Sequence, residues 1–303
     1  MKISRSLTIG AAVCAGALTL TPIASAQKGN NGDQDKLTLL IARVTALESK
    51  VSALEAKLQY VTVSGTDMYI TGANLNIRSG IGWTNASNGK GNLIIGYNES
   101  VPGLTRTGSH NLIMGMWNSY GSYGGMVSGE SNQALGPNAS LLSSNNAITS
   151  VDSNFAVAIS SQNCSMTATY DTMISTINSD TTGNFDTIIG GASNKNNGGY
   201  SVLVAGQSNE IKQGALNSSI LGGNSNQMFG QFSSILAGHF NENYGTSSYI
   251  GAGYKNVVGP NSVSGAITNG DQATMNHNYS TIGSGIFINS SAHNQFKTGG
   301  LTG

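Results

Sequence analysis

The amino-acid sequence predicts an all-β solenoid of about a dozen coils, each of 14–17 residues, preceded by a short coiled-coil helix. The main observation is a repeat, since SSILGGNSN is followed fifteen residues later by SSILAGHFN within residues 217–241. A second observation is a regular spacing of apolar residues upstream of the repeat. A period of about sixteen residues is too short for a helical hairpin or a propeller blade, so it indicates one solenoid coil per repeat.

The composition excludes several classes of protein. Charged residues make up 9% of the chain and Gly 41 of 303 residues, against typical values of roughly 25% and roughly 7%. Disordered chains are usually rich in charge and Pro, whereas this chain has four Pro and no formal net charge. We also expect no nucleic-acid partner, because the sequence has no basic patch.

Residues 1–26 have the features of a secretory signal peptide. Lys2 and Arg5 precede an apolar run, and small residues end the segment at Ala26. The alternative is a lipoprotein signal that uses Cys14. Without this segment the mature chain has 12 Lys+Arg (14 minus Lys2 and Arg5) against 14 Asp+Glu. We therefore expect an exported protein, secreted or at the cell surface, with no transmembrane segment in the mature chain. Its single cysteine, Cys164, should be a small buried residue rather than a reactive thiol.

A polar linker is predicted over 27–36 and a coiled-coil stalk over 37–58. Apolar residues form a heptad seam with alternating spacings of 3 and 4, namely Leu37, Leu40, Val44, Leu47, Val51, Leu54 and Leu58. Basic residues at g, such as Arg43, are followed by acidic residues at e, such as Glu48, which favours parallel chains in register. The seam leaves the number of chains open. A single amphipathic helix that packs on its own domain is the alternative interpretation.

Period-two runs over 59–91, YVTVSG, MYITG and LNIRSG, predict a junction of short β-strands. The repeat then covers 92–289, the head, and a polar tail covers 290–303. In each coil, apolar residues should point inward, and Gly should lie where the turn needs a positive φ or close stacking. We predict that a column of Asn side chains bonds to turn backbone and to its counterparts in adjacent coils, and its members are Asn98, Asn118, Asn132, Asn146, Asn163, Asn178, Asn194, Asn209, Asn226, Asn241 and Asn256.

The heptad stalk, the strand junction and the repeat together resemble the stalk and head of trimeric autotransporter adhesins, over about residues 37–289. The resemblance implies a left-handed parallel β-roll and a homotrimer, with a host-cell, matrix or glycan ligand. The chain departs from the family pattern because its stalk precedes its head and its coils are longer. Family members also end in a membrane anchor, whereas residues 270–303 contain at most one further coil and the polar tail, so we expect no anchor there.

The sequence contains little that indicates chemistry. Phosphate-binding and calcium-binding glycine motifs are missing, and the four His lack metal-ligand spacing, so we expect no cofactor and no metal. Four carboxylates in the head could meet on adjacent coils as in a glycosidase, but each is more simply a solvated turn residue; they are Asp152, Asp171, Asp180 and Asp186. The aromatic cluster Trp117, Tyr120 and Tyr123, beside Trp83, could contact a ligand or cover the open end of the solenoid.

Two functional hypotheses follow. The first is a non-enzymatic, adhesin-like homotrimeric fibre that attaches to cells, matrix or polysaccharide through a repetitive surface. Its affinity would come from the simultaneous binding of three copies of that surface. The second is a monomeric β-solenoid, either a binding protein or a polysaccharide-acting enzyme. An ice-binding role within this second class would need a regular column of Thr, and Thr is irregular here.

Overall fold

A computed structural model describes residues 31–299 and divides into two compact units at Leu75/Asn76. The predictions for the signal peptide (1–26), for Cys14 and for the end of the tail (300–303) lie outside the described residues. Within residues 31–299, no helix combines the length and the hydropathy that a membrane crossing requires.

The first unit contains one helix and one hairpin. The helix spans Asn31–Lys57, so it begins six residues before the predicted stalk and includes part of the segment predicted as a polar linker. Its first turn carries Asp33, a favourable charge at a helix N-terminus. The antiparallel strands Val61–Ser64 and Asp67–Ile70 follow, joined at Gly65, which has a φ of 63°. The hairpin matches the first two period-two runs of the predicted junction.

The third run of the junction, LNIRSG, is not a strand. Its alternation is suitable for a strand, but the described chain places no second strand beside it. The segment is instead held by side chains, because the Ser79 N–H donates to Nε2 of His110 at 3.1 Å and Nδ2 of Asn88 donates to the Ser79 carbonyl at 3.1 Å. The prediction of a strand here was wrong, because period-two alternation without a pairing partner does not make a sheet.

The second unit is a parallel β-solenoid of about 14 turns, which confirms the prediction of an all-β solenoid. Each coil begins with a first strand that pairs with those of the coils before and after it, and these strands are Leu93–Ile95, Leu112–Met116, Met126–Glu130, Ser140–Thr149, Val157–Ile159, Thr172–Ile174, Thr187–Ile189, Val202–Val204, Ser219–Ile220, Ser234–Ile235, Tyr249–Tyr254, Ala266–Asp271, Thr281–Ile286 and Phe296–Lys297. The last of these lies in the predicted polar tail, which therefore extends the solenoid by one strand, paired with Thr281 and Ile282.

A shorter second strand follows in most coils. These strands are Ser119–Tyr120, Gln133–Ala134, Gln162–Met166, Asp180–Thr181, Lys195–Asn196, Glu210–Ile211, Gln227–Met228, Glu242–Asn243, Val257–Val258 and Thr274–Met275. In the fourth coil one continuous strand, Ser140–Thr149, serves both pairings. Parallel strands in adjacent coils lie about 4.8 Å apart, so the same position in successive coils forms a column.

The core is narrow and consists of two main columns. The second residue of every first strand from Leu112–Met116 to Thr281–Ile286 points inward and is buried, for example Ile188, Leu203 and Ile220. A second column comes from the second strands, where apolar residues such as Ile211 and Met228 share the position with buried Asn196 and Asn243. Since each coil contributes only one or two large apolar side chains, hydrogen bonds between coils must supply much of the order.

Coil length varies at one corner. Equivalent residues are 20 positions apart between Asn98 and Asn118, and 14, 15 or 17 positions apart in the coils that follow. In the 17-residue coils the two additional residues lie after the second strand, for example between Lys212 and Ser218. The first and second strands keep their spacing in these coils, so the columns remain in register.

Candidate binding surfaces of the solenoid

Most of the predicted Asn residues form a buried ladder. The N–H of Asn241 donates to Oδ1 of Asn226 at 3.0 Å, and the Nδ2 of Asn241 donates to the same Oδ1 and to the carbonyls of Ala237 and Gly253. The same pattern links Asn118 to Asn132 and runs from Asn194 to Asn256. Asn98 begins the ladder by accepting from the N–H of Asn118. After Asn98, each buried Asn thus joins its own coil to the preceding and the following coil through its backbone N–H and its side-chain amide.

Three predicted members of the column lie elsewhere. Asn146, Asn163 and Asn178 are exposed and occupy the preceding position, where φ is close to 50°. Their amides form a separate surface row, since Nδ2 of Asn146 donates to Asn163 and Nδ2 of Asn163 donates to Asn178, both at 3.1 Å. The buried column in these coils contains Ala147, Cys164 and Ser179 instead. Asn is suited to the left-handed conformation, which explains the displacement.

The buried Asn requires a glycine three positions earlier. Gly223 has a φ of 93°, and a Cβ there would lie 2.2 Å from the carbonyl oxygen of Gly238 and 2.5 Å from Nδ2 of Asn226. In the three coils that have Ala147, Cys164 and Ser179 in the buried column, the glycine is replaced by Ser144, Ser161 and Thr176. Thr176 Oγ1 lies 3.1 Å from Sγ of Cys164, which is buried as expected of a structural thiol.

The structure separates the aromatic residues predicted as ligand contacts. Tyr120 is only 5% exposed and belongs to the core, so the ligand-contact prediction is wrong for this residue. Tyr123 is half-buried, and Trp83 is 72% exposed. Trp117 is half-buried with a φ of 55° and lines a shallow hollow with Val101 and Leu104. Packing therefore explains Tyr120, while Trp117 and Trp83 remain on the surface.

A second set of aromatic residues, which the sequence analysis missed, forms a ladder on the surface. Phe155, Tyr170, Phe185 and Tyr200 occupy the last position of four successive coils, all with φ near 60°. Their ring centroids are 5.0, 4.7 and 4.7 Å apart and the rings are almost parallel. The signal was available in the sequence as an aromatic residue at every fifteenth position. Within the ladder the ring faces cover one another, so a ligand meets ring edges except at the two ends.

The ladder ends at Tyr200 because the next coil has Asn217 at the same position. Beside this terminal ring lies a hollow of about 320 Å³, which we call the Tyr200 hollow. It is lined by Thr182, Gly183, Asn184, Asn197, Gly198, Gly199, Tyr200, Gln213, Gly214 and Leu216. None of these residues is charged. The hollow lies at the corner where coil length varies.

The outward side chains of the first strands form a surface that we call the A face. Seven successive coils place an aliphatic residue after the core position, and these are Leu142, Ile159, Ile174, Ile189, Val204, Leu221 and Leu236. Ile189, Leu221 and Leu236 are 38–45% exposed, and the other four are half-buried by their neighbours in the row. The outward positions of the second strands, by contrast, carry charges such as Asp180, Lys195 and Glu210. An extended apolar row of this kind is typical of an interaction surface.

Two of the carboxylates predicted to be solvated are buried in the solenoid, so that prediction is wrong for them. Asp171 and Asp186 begin successive coils, at the position that Ser201 and Ser218 occupy further along. All four side chains are buried. Asp152 is exposed in a turn, and Asp180 lies on the outward side of a second strand.

The two buried carboxyl groups have raised pKa values. Asp171 accepts from Oγ1 of Thr181 at 2.7 Å and from the N–H of Asp186 at 3.2 Å. Oδ1 of Asp186 accepts from the N–H groups of Gly199 and Ser201, whereas its Oδ2 has no hydrogen-bond partner among the described residues. Burial raises the pKa of Asp171 to about 6 and that of Asp186 to about 7, and the charge of Asp171 adds to the rise at Asp186.

The heptad seam of the first unit is exposed along its whole length. The exposed fraction of its seven side chains ranges from 43% at Val44 to 58% at Leu47. This stripe has the alternating spacing of 3 and 4 that is typical of a coiled-coil seam.

No family model, no curated protein and no solved structure matches this chain. Its function must therefore be inferred from its own surfaces. Within residues 31–299, no group of His, Cys, Asp and Glu side chains is arranged to hold a metal ion.

Proposed function

We propose that this chain is an exported, non-enzymatic, adhesin-like protein that assembles as a homotrimer and attaches to cells, matrix or polysaccharide through its solenoid. The observation that carries the proposal is the aliphatic row on the A face, which a single chain would leave in water. The left-handed course of the coils and the number of three chains come from the resemblance to trimeric autotransporter adhesins. Export is inferred from residues 1–26.

The helix supports the same assembly. A row of apolar side chains that are about half exposed costs free energy in water, of roughly 25 cal/mol for each Å² that remains uncovered. Parallel copies would cover the seam and pair basic residues at g with acidic residues at e, such as Arg43 with Glu48. The helix has 27 residues, so a coiled coil built from it would be short, and contact between the A faces would add stability.

The carboxylates support a binding role over glycan hydrolysis. A glycosidase needs two carboxyl groups that reach the bond between sugars. Asp171 and Asp186 are adjacent but fully buried, and Oδ1 of Asp186 is occupied by the two backbone N–H groups described above. Their arrangement therefore suits a structural element of the solenoid and offers no access to a substrate.

The test is the solution mass of residues 27–303 by light scattering, with two matched pairs of variants. Leu47→Asp places a charge in the seam, and Ser49→Asp places the same charge on the opposite side of the helix. Leu221→Lys disrupts the A face, and Gln227→Lys is its control on the second strand of the same coil. We expect a mass of three chains for the wild type and both controls, and a lower mass for Leu47→Asp and Leu221→Lys. A wild-type monomer would refute the proposal.

A further inference from the structure

The Tyr200 hollow differs from the rest of the solenoid surface because four of its ten lining residues are glycines. A Cβ at Gly183 would lie 2.5 Å from Oδ2 of Asp186, and a Cβ at Gly198 would lie 2.5 Å from Oγ of Ser201. Gly199 and Gly214 have φ values near 90°. Because these four residues have no side chain, backbone atoms form the floor of the hollow. The volume of the hollow lies at the lower end of the roughly 300–1,000 Å³ typical of small-molecule sites.

One wall of the hollow is an aromatic ring with one open face. Phe185 covers one face of Tyr200, at a centroid distance of 4.7 Å. Asn217 replaces an aromatic residue in the next coil, so no ring continues the stack on the other side. Tyr200 is 61% exposed, and Gln213 and Leu216 of that next coil line the hollow on this side. The ladder therefore holds Tyr200 in place and presents its outer face to a ligand.

Two amide groups beside the ring have fixed orientations. Oδ1 of Asn184 accepts from the N–H and Oγ1 of Thr169, both at 3.1 Å, and Oδ1 of Asn197 accepts from Oγ1 of Thr182 at 2.7 Å. Neither Nδ2 group donates a hydrogen bond within residues 31–299. These contacts leave two oriented N–H donors at the hollow, with the exposed amide of Gln213 on the same surface.

The chemistry of the lining selects the class of ligand. No cationic side chain lines the hollow to bind an anion, and no carboxylate lines it to bind a cation. An open ring face suits a flat apolar surface, whereas amide donors suit hydroxyl oxygens. A sugar ring combines both, with C–H groups on its face and hydroxyl groups on its rim.

We propose that the Tyr200 hollow binds a neutral saccharide unit, which stacks on Tyr200 and accepts hydrogen bonds from Nδ2 of Asn184 and Asn197. This inference rests on the proposed adhesive function and names its ligand class. A shallow site of this kind binds weakly as a single copy, and display on three chains increases the overall affinity through effective concentration.

The test uses an array of immobilised neutral, sialylated and sulfated oligosaccharides, probed with the full mature chain. We expect retention on neutral oligosaccharides, an approximately tenfold loss for Tyr200→Ala, and binding close to wild type for Tyr200→Phe, which keeps the ring. Asn197→Ala should also weaken binding. Phe232→Ala is the control, since Phe232 has the same corner position two coils later, is 59% exposed and does not line the hollow.

Three results would overturn the inference. They are no retention on any neutral oligosaccharide, retention on anionic oligosaccharides alone, and equal binding by wild type and Tyr200→Ala. Circular dichroism melting of each variant shows whether a loss of binding reflects loss of the fold. Light scattering on the same samples separates the two proposals, because a trimer without glycan binding refutes only the saccharide site, and a monomer that binds through Tyr200 refutes only the assembly.

Discussion

Replacement of Asp186 by Asn should make the solenoid more stable at pH 8 than the wild type. Both buried aspartates have a pKa that is higher in the folded chain than in the unfolded chain, where it is 3.8. The folded chain therefore binds protons more tightly, and the stability is fully present below pH 3.8 and is lost as the pH rises towards 7. Asn removes the charge and keeps the shape of the side chain.

The magnitude follows from the pKa of Asp186, which burial raises by about three units, to about 7. At about 1.4 kcal/mol per unit, the charged form costs on the order of 4 kcal/mol above pH 7. Asp171, with a pKa of about 6, adds a smaller cost. The charge of Asp171 acts on Asp186, because Asp171 has the lower pKa and ionises first.

The assay is urea unfolding followed by circular dichroism from pH 4 to pH 9. Groups that are common to wild type and variant contribute equally to both and cancel in the difference. Asp152→Asn is the matched control, since Asp152 is exposed, and should change stability by less than about 0.5 kcal/mol at every pH. A difference between wild type and Asp186→Asn that does not grow between pH 5 and pH 8 would show that this reasoning is wrong.

Two further predictions concern the buried ladder. Gly223→Ala should lower the free energy of unfolding by several kcal/mol, because its Cβ would meet the Gly238 carbonyl and its φ is 93°. Gly222→Ala is the control, since a Cβ there has no atom closer than 3.9 Å, and it should change the free energy of unfolding by less than about 1 kcal/mol. Asn226→Ala removes the buried side-chain hydrogen bonds that link Asn226 to the preceding coil, to its own coil and to the following coil, and should cost about 2–4 kcal/mol. Asn178→Ala, at an exposed position with a φ of 50°, should cost only about 1 kcal/mol, from the left-handed backbone. Thermal melting checks both pairs, and equal melting temperatures within either pair would contradict the assigned roles.

The solenoid could be predicted from the sequence because every coil needs the same types of residue at the same positions. An inward apolar residue, a glycine with positive φ and an amide recur at a nearly constant period, as in SSILGGNSN. The positions of single residues were harder to predict. Asn146 precedes Ala147, and Asn163 precedes Cys164, so a spacing of 14–17 residues could not decide which residue of each pair points inward.

The buried carboxylates were missed for a different reason. Asp side chains are usually solvated, and this general preference was given more weight than the position of Asp171 and Asp186 in the repeat. The register of the strands aligns both residues with Ser201. Only the pairing of Thr172 with Thr187 and of Thr187 with Val202 fixes that alignment. The Tyr200 hollow could not be predicted either, since it depends on where the aromatic ladder ends relative to a coil with two additional residues.

The corner after the second strand has a consequence for how such a chain can change. Hydrogen bonds between coils tie the first strand, the buried column and the second strand to fixed positions, yet Ser218 still reaches Ser201 across 17 residues, as Ser233 reaches Ser218 across 15. Insertions at this corner therefore leave the hydrogen bonds between coils unchanged. New recognition loops can be inserted there, by evolution or by design, while the strands and the buried column keep their structure.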